Sequence, residues 1–266
     1  MTVSDILAVL EAFAPARWAE QVYSGDNVGL LAGRHDAEVT CVMAALDVTD
    51  SVIEEAKKKG AQLIVTHHPV TFGQRSITSV SHSGRILLSL IENRMAAICM
   101  HTNWDAAPGG INDLLARTVG LVGTLDILGS AFTDHDGRRY GLGRVGHLPN
   151  PLSAQTLAGA VKTALGCCGV RFVDGGRPCH FVAVGSGSSG SQWPDVLRHG
   201  CDTFITGDVK YHLFVEAMQA GVTLIDAGHF PTEHIIVAPV AAMLRDKLPG
   251  LMVLESTVEE EPAIWL

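Results

Sequence analysis

Residues able to bind metal recur at three separated places in this 266-residue chain: His67-His68, Asp105, and the pair His229/Glu233. Each place lies just past an apolar run that reads as a β-strand. Imidazole and carboxylate are what a divalent transition metal takes when no thiolate is offered, and three histidines with two acids exceed the needs of one ordinary site. Two metal ions are the natural reading. The chemistry such a pair supplies is activation of water, which points to a hydrolase or the relic of one.

Taken singly, each cluster has a plainer reading. Thr66-His67-His68-Pro69 follows Leu63-Ile64-Val65, and adjacent side chains of extended backbone point to opposite sides. The two imidazoles are therefore expected to diverge and to suit two metals, or one metal and one supporting role; the plainer reading is a polar loop. Asp105 stands four residues beyond His101 in His101-Thr102-Asn103-Trp104-Asp105, where His101 could be a ligand, an orienting partner or a proton carrier. A turn or helix-capping role for Asp105 competes, although Asn112 or Asp113 could supply that cap. In Asp226-Ala227-Gly228-His229-Phe230-Pro231-Thr232-Glu233, Glu233 falls in the first turn of a helix opened by Pro231, close enough to His229 to face the same ion. A glutamate there would also stabilise the helix N-terminus with no metal present. It is the recurrence at strand ends that favours a metal site.

Two further segments carry weaker signals. Gly185–Ser191 joins a strand to a helix and could offer backbone N–H groups to an anion, but it lacks the lysine and spacing of a P-loop, and a tight connection is the simpler reading. Lys210 and His212, in Thr206–His212, could reach the mouth of a site; as helix-surface residues they need no function.

Strands and helices alternate around these clusters. Strands are expected at Thr40–Leu46, Gln62–Val65 and Ala96–Met100, with helices at Asp50–Lys59, Ser83–Asn93 and Ile111–Val119. The pattern returns with strands at Phe181–Val184, Thr203–Ile205 and Val222–Ile225, helices at Pro194–His199 and Tyr211–Ala220, and a long helix after Pro231. Lys59–Thr66 aligns with His199–Thr206, and one strand later Met100-His101 matches Gly228-His229. The fold class is therefore α/β: two similar, pseudo-duplicated lobes with mostly parallel sheets and the metal centre between them. The first lobe is expected over residues 1–120 and the second over 152–266, with a connecting β segment at 121–151 whose alternating run Tyr140–Leu148 reads as one or two antiparallel strands. Leu251–Leu254 reads as a final strand, and Glu259-Glu260-Glu261 as a solvated tail.

Composition excludes several classes of function. The net charge of −9 and the absence of a Lys/Arg run longer than Lys57-Lys58-Lys59 argue against binding nucleic acid through its phosphates. No apolar stretch approaches the ~20 residues that span a bilayer, and Asp5 stands where a signal peptide needs basic residues. Ser4 looks like the N-cap of a first helix carrying Ile6, Leu7, Leu10 and Phe13 on one face. The six cysteines show no CxxC spacing and no disulfide framework, so reduced thiols and a cytoplasmic location are expected.

Together, Asp26-Asn27-Val28-Gly29-Leu30, Thr66-His67-His68-Pro69, His101–Gly110, Thr206–His212 and Asp226–His229 with Glu233 resemble the family named after yeast Ngg-one-interacting factor three. Its members are known as GTP cyclohydrolase I type 2 homologues, and the resemblance runs the length of the chain. It implies a two-lobed α/β fold, two divalent metal ions per subunit (Zn, Mn, Fe, Co or Ni) and a ring-shaped homohexamer. Carried onto this sequence, it implies His68 and Asp105 on one metal, His67 and His229 on the other, and Glu233 bridging. The implied reaction is hydrolytic opening of the guanine imidazole ring of GTP with loss of formate, with His101 as proton carrier. A phosphoesterase, a cyclic amide hydrolase and a non-enzymatic metal-binding scaffold or chaperone are the alternatives. The 121–151 stretch leaves no room for the inserted domain of longer members.

Overall fold

A computed structural model describes residues 1–73 and 76–264. The chain divides into two compact units, Met1–Trp104 with Ile236–Glu260, and Asp105–Ile235 with Glu261–Leu266.

The first unit is built on five strands: β1 (Gly29–Ala32), β2 (Cys41–Ala45), β3 (Leu63–Thr66), β4 (Ala96–Cys99) and, from the far end of the chain, β13 (Met252–Glu255). They lie in the order β1-β4-β3-β2-β13, with β1 alone antiparallel to its neighbour. Every residue of β2, β3 and β4 is buried, as expected of parallel strands covered on both faces. The helices are α1 (Val3–Phe13), α2 (Ala16–Val22), α3 (Asp50–Lys59), α4 (His82–Glu92), α5 (Thr102–Ala106), which runs into the second unit, and α11 (Val237–Lys247). Val52, Ile53 and Ala56 of α3 and Ile86, Leu87 and Leu90 of α4 pack in one cluster with Met43 and Ile64 of the sheet. Because β2, β3 and β4 run the same way, their registers bring Ala45 beside Thr66 and Thr66 beside Cys99. The residues that follow, Asp47, His67-His68 and His101, therefore emerge along one edge of the sheet.

The second unit has a six-stranded sheet in the order β5-β8-β10-β11-β12-β9, comprising β5 (Val122–Ile127), β8 (Arg144–Leu152), β9 (Arg171–Val173), β10 (Cys179–Val184), β11 (Thr203–Thr206) and β12 (Thr223–Asp226). A separate short pair joins β6 (Phe132–Thr133) to β7 (Arg139–Tyr140). Its helices are α6 (Ile111–Thr118), α7 (Ala154–Leu165), α8 (Trp193–His199), α9 (Tyr211–Ala220) and α10 (His229–His234). The core β10-β11-β12 is parallel, and β9 lies antiparallel on β12 as β1 does on β4. The expected duplication is visible in this match. It is visible also in the helix ends: Gly60 and Gly200 both close a helix in the left-handed conformation, at φ 74° and 71°.

Several expectations need correction. Thr2, not Ser4, caps α1, in a reciprocal capping box with Asp5. The final strand pairs with β2 in the first unit instead of extending the second lobe. The 121–151 stretch supplies β5 and most of β8 to the second sheet. The long helix after Pro231 is broken between His234 and Val237. Pro239 explains the break, since in a continuous helix its missing N–H would leave the carbonyl of Ile235 without its bond, whereas in the first turn of α11 no such bond is needed. Among the described residues, no helix is long and apolar enough to cross a membrane.

Candidate metal centre

In the first unit, His67, His68 and His101 each offer a ring nitrogen within 4.8 Å of the others. The ring centroids of His67 and His68 are 5.0 Å apart, so the adjacent imidazoles converge where divergence was expected. Both lie beyond the last residue of β3, where the backbone bends and the alternation of a strand no longer applies.

What aims these rings is a hydrogen bond at each Nδ1. Buried His67 reaches the carbonyl oxygen of Met100 at 3.0 Å, His68 the Asp47 carboxylate at 2.9 Å, and His101 the Asp26 carboxylate at 2.7 Å. A carbonyl or ionised carboxylate only accepts, so the proton sits on Nδ1 and the lone pair on Nε2, the form that binds a metal. Asp26 is held ionised. Burial, the largest single influence, would raise its carboxyl, but hydrogen bonds from His101 and Thr102 and the His101 charge prevail and bring it to about 2. The Thr102 hydroxyl donates at 2.5 Å and its backbone N–H at 3.2 Å, so Asp26 also fixes the start of α5.

In the second unit, Asp105 is buried and its Oδ1 accepts the Ser186 hydroxyl at 2.6 Å. Asn112 completes a ring of contacts: its amide donates to the Asp105 carbonyl at 3.0 Å, and its side-chain oxygen accepts the Ser186 N–H at 2.9 Å. Asn112 is thus used to position Asp105 and does not cap α6, whose N-cap is Gly110 with no side-chain cap. Arg144, also buried, donates to the carbonyls of Ala106 and Ala107 and pairs with Asp113, bracing the loop just past Asp105.

His229 opens α10 between two carboxylates, with Nδ1 2.6 Å from Asp208 and Nε2 3.0 Å from buried Glu233. Burial opposes the imidazolium, yet the hydrogen bonds and charges of Glu233 and Asp208 outweigh it and push the pKa up to about 9. A proton on His229 thus provides the positive charge that these acids demand. Asp208 takes a left-handed φ of 53°, uncommon for a residue with a side chain, and its loop is held by Asp226, which accepts the N–H groups of Val209 and Gly228.

The Gly185–Ser191 turn is tied into this cluster. The N–H groups of Ser186, Gly187 and Ser189 go to Asn112, Thr232 and Thr206 side chains. A Cβ on Gly187 would lie 2.0 Å from Glu233 Oε1, so only glycine lets the turn approach so closely. Lys210 and His212 are exposed, as their plainer reading had it, with His212 edge-on to Tyr211. Sequence reading passed over Asp47, Asp208, Ser186 and the specific task of Asp26. Asp26 and Asp208 do lie in the quoted motifs; Asp47 carries no local signal.

Histidines at the carboxyl ends of parallel strands, each steadied through Nδ1 by an oxygen acceptor, together with buried acids, define an α/β protein whose side chains could hold a metal ion. The model of the Duf34/NIF3 (NGG1p interacting factor 3) family matches residues 1–262, and the chain belongs to that family. It is 34% identical over 250 residues to a Clostridium perfringens protein named GTP cyclohydrolase 1 type 2 homolog, covering 93% of each chain. A Streptomyces coelicolor protein of the same name is 36% identical over 236 residues, covering 87% of this chain and 81% of the relative. Among solved structures, Staphylococcus aureus protein SA1388 superposes with a TM-score of 0.88 at 28% identity, covering 100% of this chain and 99% of that one.

Proposed function

We propose that the protein is a dinuclear metal-dependent hydrolase that opens the guanine imidazole ring of GTP and releases formate. The observation that carries the metal part is the Nδ1 bonding of three histidines: His67, His68 and His101 are each held by an oxygen acceptor in the orientation that presents Nε2, while His229 is held at Nδ1 by Asp208 with its Nε2 on Glu233. The donor set fits hard to borderline divalent cations such as Zn, Mn, Fe, Co or Ni. His67, His68, Asp105, His229 and Glu233 would hold the ions. When bound, such a pair supplies Lewis acidity and lowers the pKa of water. The substrate follows the names of the relatives, GTP cyclohydrolase 1 type 2 homolog, and the family resemblance extends the reading to a homohexamer.

The remaining tasks fall to the chain itself. His101, with Nδ1 engaged by ionised Asp26, can carry a proton at Nε2 and give it to the departing ring nitrogen. Ser186 keeps the Asp105 carboxylate from rotating, Asn112 ties the Asp105 main-chain carbonyl to the Ser186 N–H, and Asp208 fixes the His229 ring. The test is formate release from GTP by protein loaded separately with each divalent ion, alongside Asp105→Ala. Formate production lost in the variant supports the reading. Two bound ions with no turnover of GTP would exclude the cyclohydrolase, and fewer than one ion per chain in protein purified without chelator would exclude the dinuclear centre.

A further inference from the structure

The acidic segment after β13 is not a solvated tail throughout. Beyond the end of β2, the Leu46–Asp47 peptide serves His68 twice: the Leu46 carbonyl accepts the His68 N–H at 3.0 Å, and the Asp47 carboxylate accepts Nδ1 at 2.9 Å. That same peptide is gripped by Glu259. Its Oε1 accepts the N–H groups of Leu46 and Asp47, both at 2.9 Å, and its Oε2 accepts that of Leu46 at 3.0 Å. Charged acceptors make the stronger hydrogen bonds, and here one carboxylate spans two successive donors.

The route to Glu259 is pinned as well. Ser256 N–H continues the ladder onto the Ala44 carbonyl at 2.9 Å. The Ser256 hydroxyl and the Thr257 hydroxyl and N–H then converge on the buried carboxylate of Glu55, with the Thr257 hydroxyl at 2.6 Å. A residue 212 positions beyond Asp47 is thereby brought against the strand end that aims His68.

We propose that Glu259 is a positioning residue for His68, acting through the Leu46–Asp47 peptide, and that the Ser256–Glu259 segment is the strap that delivers it. Its consequence for metal binding rests on the dinuclear reading; its consequence for the ring does not. Without Glu259, the two N–H groups turn to water, the peptide rotates, and the Asp47 carboxylate no longer holds Nδ1.

The experiment compares Glu259→Ala and Glu259→Gln with Glu260→Ala, an exposed neighbour, in the full-length chain. Long-range proton–nitrogen NMR of metal-free protein, with the His68 signals assigned by their loss in His68→Gln, reads the tautomer. One Nδ1–H form is expected in the parent and in Glu260→Ala, a mixture in Glu259→Ala, and an intermediate state in Glu259→Gln, which keeps one acceptor oxygen. Titration with Zn²⁺ reads the second effect: the ion that depends on His68 should weaken by roughly 10–100-fold, as for other partners of metal ligands, with the second ion changed by less than about twofold. An unaltered His68 tautomer in Glu259→Ala overturns the proposal. If that variant does not fold, an unaltered tautomer in Glu259→Gln overturns it in the same way. A tautomer lost in the variant while the parent takes up no ion would uphold the positioning role and refute the dinuclear centre.

Discussion

Gly187→Ala should impair metal binding although it replaces none of the candidate ligands. Two effects act on it. An L-residue held at φ +52° costs about 1–2 kcal/mol. Separately, the new methyl would stand 2.0 Å from Glu233 Oε1, 2.9 Å from its carboxyl carbon and 3.1 Å from His229 Nε2. Ordinary contact begins near 3.4 Å, so the Glu233 oxygen must retreat by about 1.4 Å. Metal–ligand distances tolerate only about ±0.2 Å, and the retreat exceeds that several-fold. A loss of affinity of roughly 10–100-fold follows, with a modest fall in stability. Gly176→Ala is the control, because Gly176 has a comparable φ of +77° and nothing within 4 Å of an added Cβ. Competition against a chelator of known affinity, with thermal denaturation of both metal-free variants, separates strain from displacement. Gly187→Ala binding metal as tightly as Gly176→Ala would refute the reasoning that Glu233 is a ligand shaped by this turn.

Asp26→Asn keeps the size of the side chain but removes the charge that fixes His101. Turnover of the metal-loaded protein should fall by roughly 10–100-fold with metal content unchanged, checked by elemental analysis beside the formate assay. Arg144→Met leaves Asp113 and the Ala107 and Gly141 carbonyls without their buried donor; a loss of about 3–5 kcal/mol is expected in urea denaturation if unfolding is two-state. Glu55 gives a test in pH. Burial raises its carboxyl, but Lys59, Thr257 and Ser256 outweigh that and lower it from 4.5 to about 2. Its contribution is thus complete above pH ~4.5 and lost as the pH falls toward 2. After allowance for solvent screening, the parent should lose about 1–2 kcal/mol more than Glu55→Gln on acidification from pH 6 to pH 3, and equal slopes would refute this.

The sequence by itself determined the elements and the supply of candidate ligands. Short, largely apolar runs such as Leu63-Ile64-Val65 and Thr203-Phe204-Ile205 read as strands covered on both faces, and a glycine after each preceding helix ends that helix by its own backbone freedom. Those are local rules, acting within one turn or one strand, so they are legible in a linear string. The family motifs were legible for the same reason. Tertiary structure decided which atom of each candidate ligand is presented. Asp26 lies 75 positions from His101, Ser186 lies 81 from Asp105, and Glu259 lies 213 from Leu46. No periodicity links such pairs, because their approach depends on strand order: β13 returns to β2 across the whole chain. It also decided that His67 and His68 converge, since the bend after Thr66 cancels the alternation that a strand would impose. A list of ligand types is a property of composition and short-range pattern, whereas their aim is set by hydrogen bonds that exist only once each unit has folded.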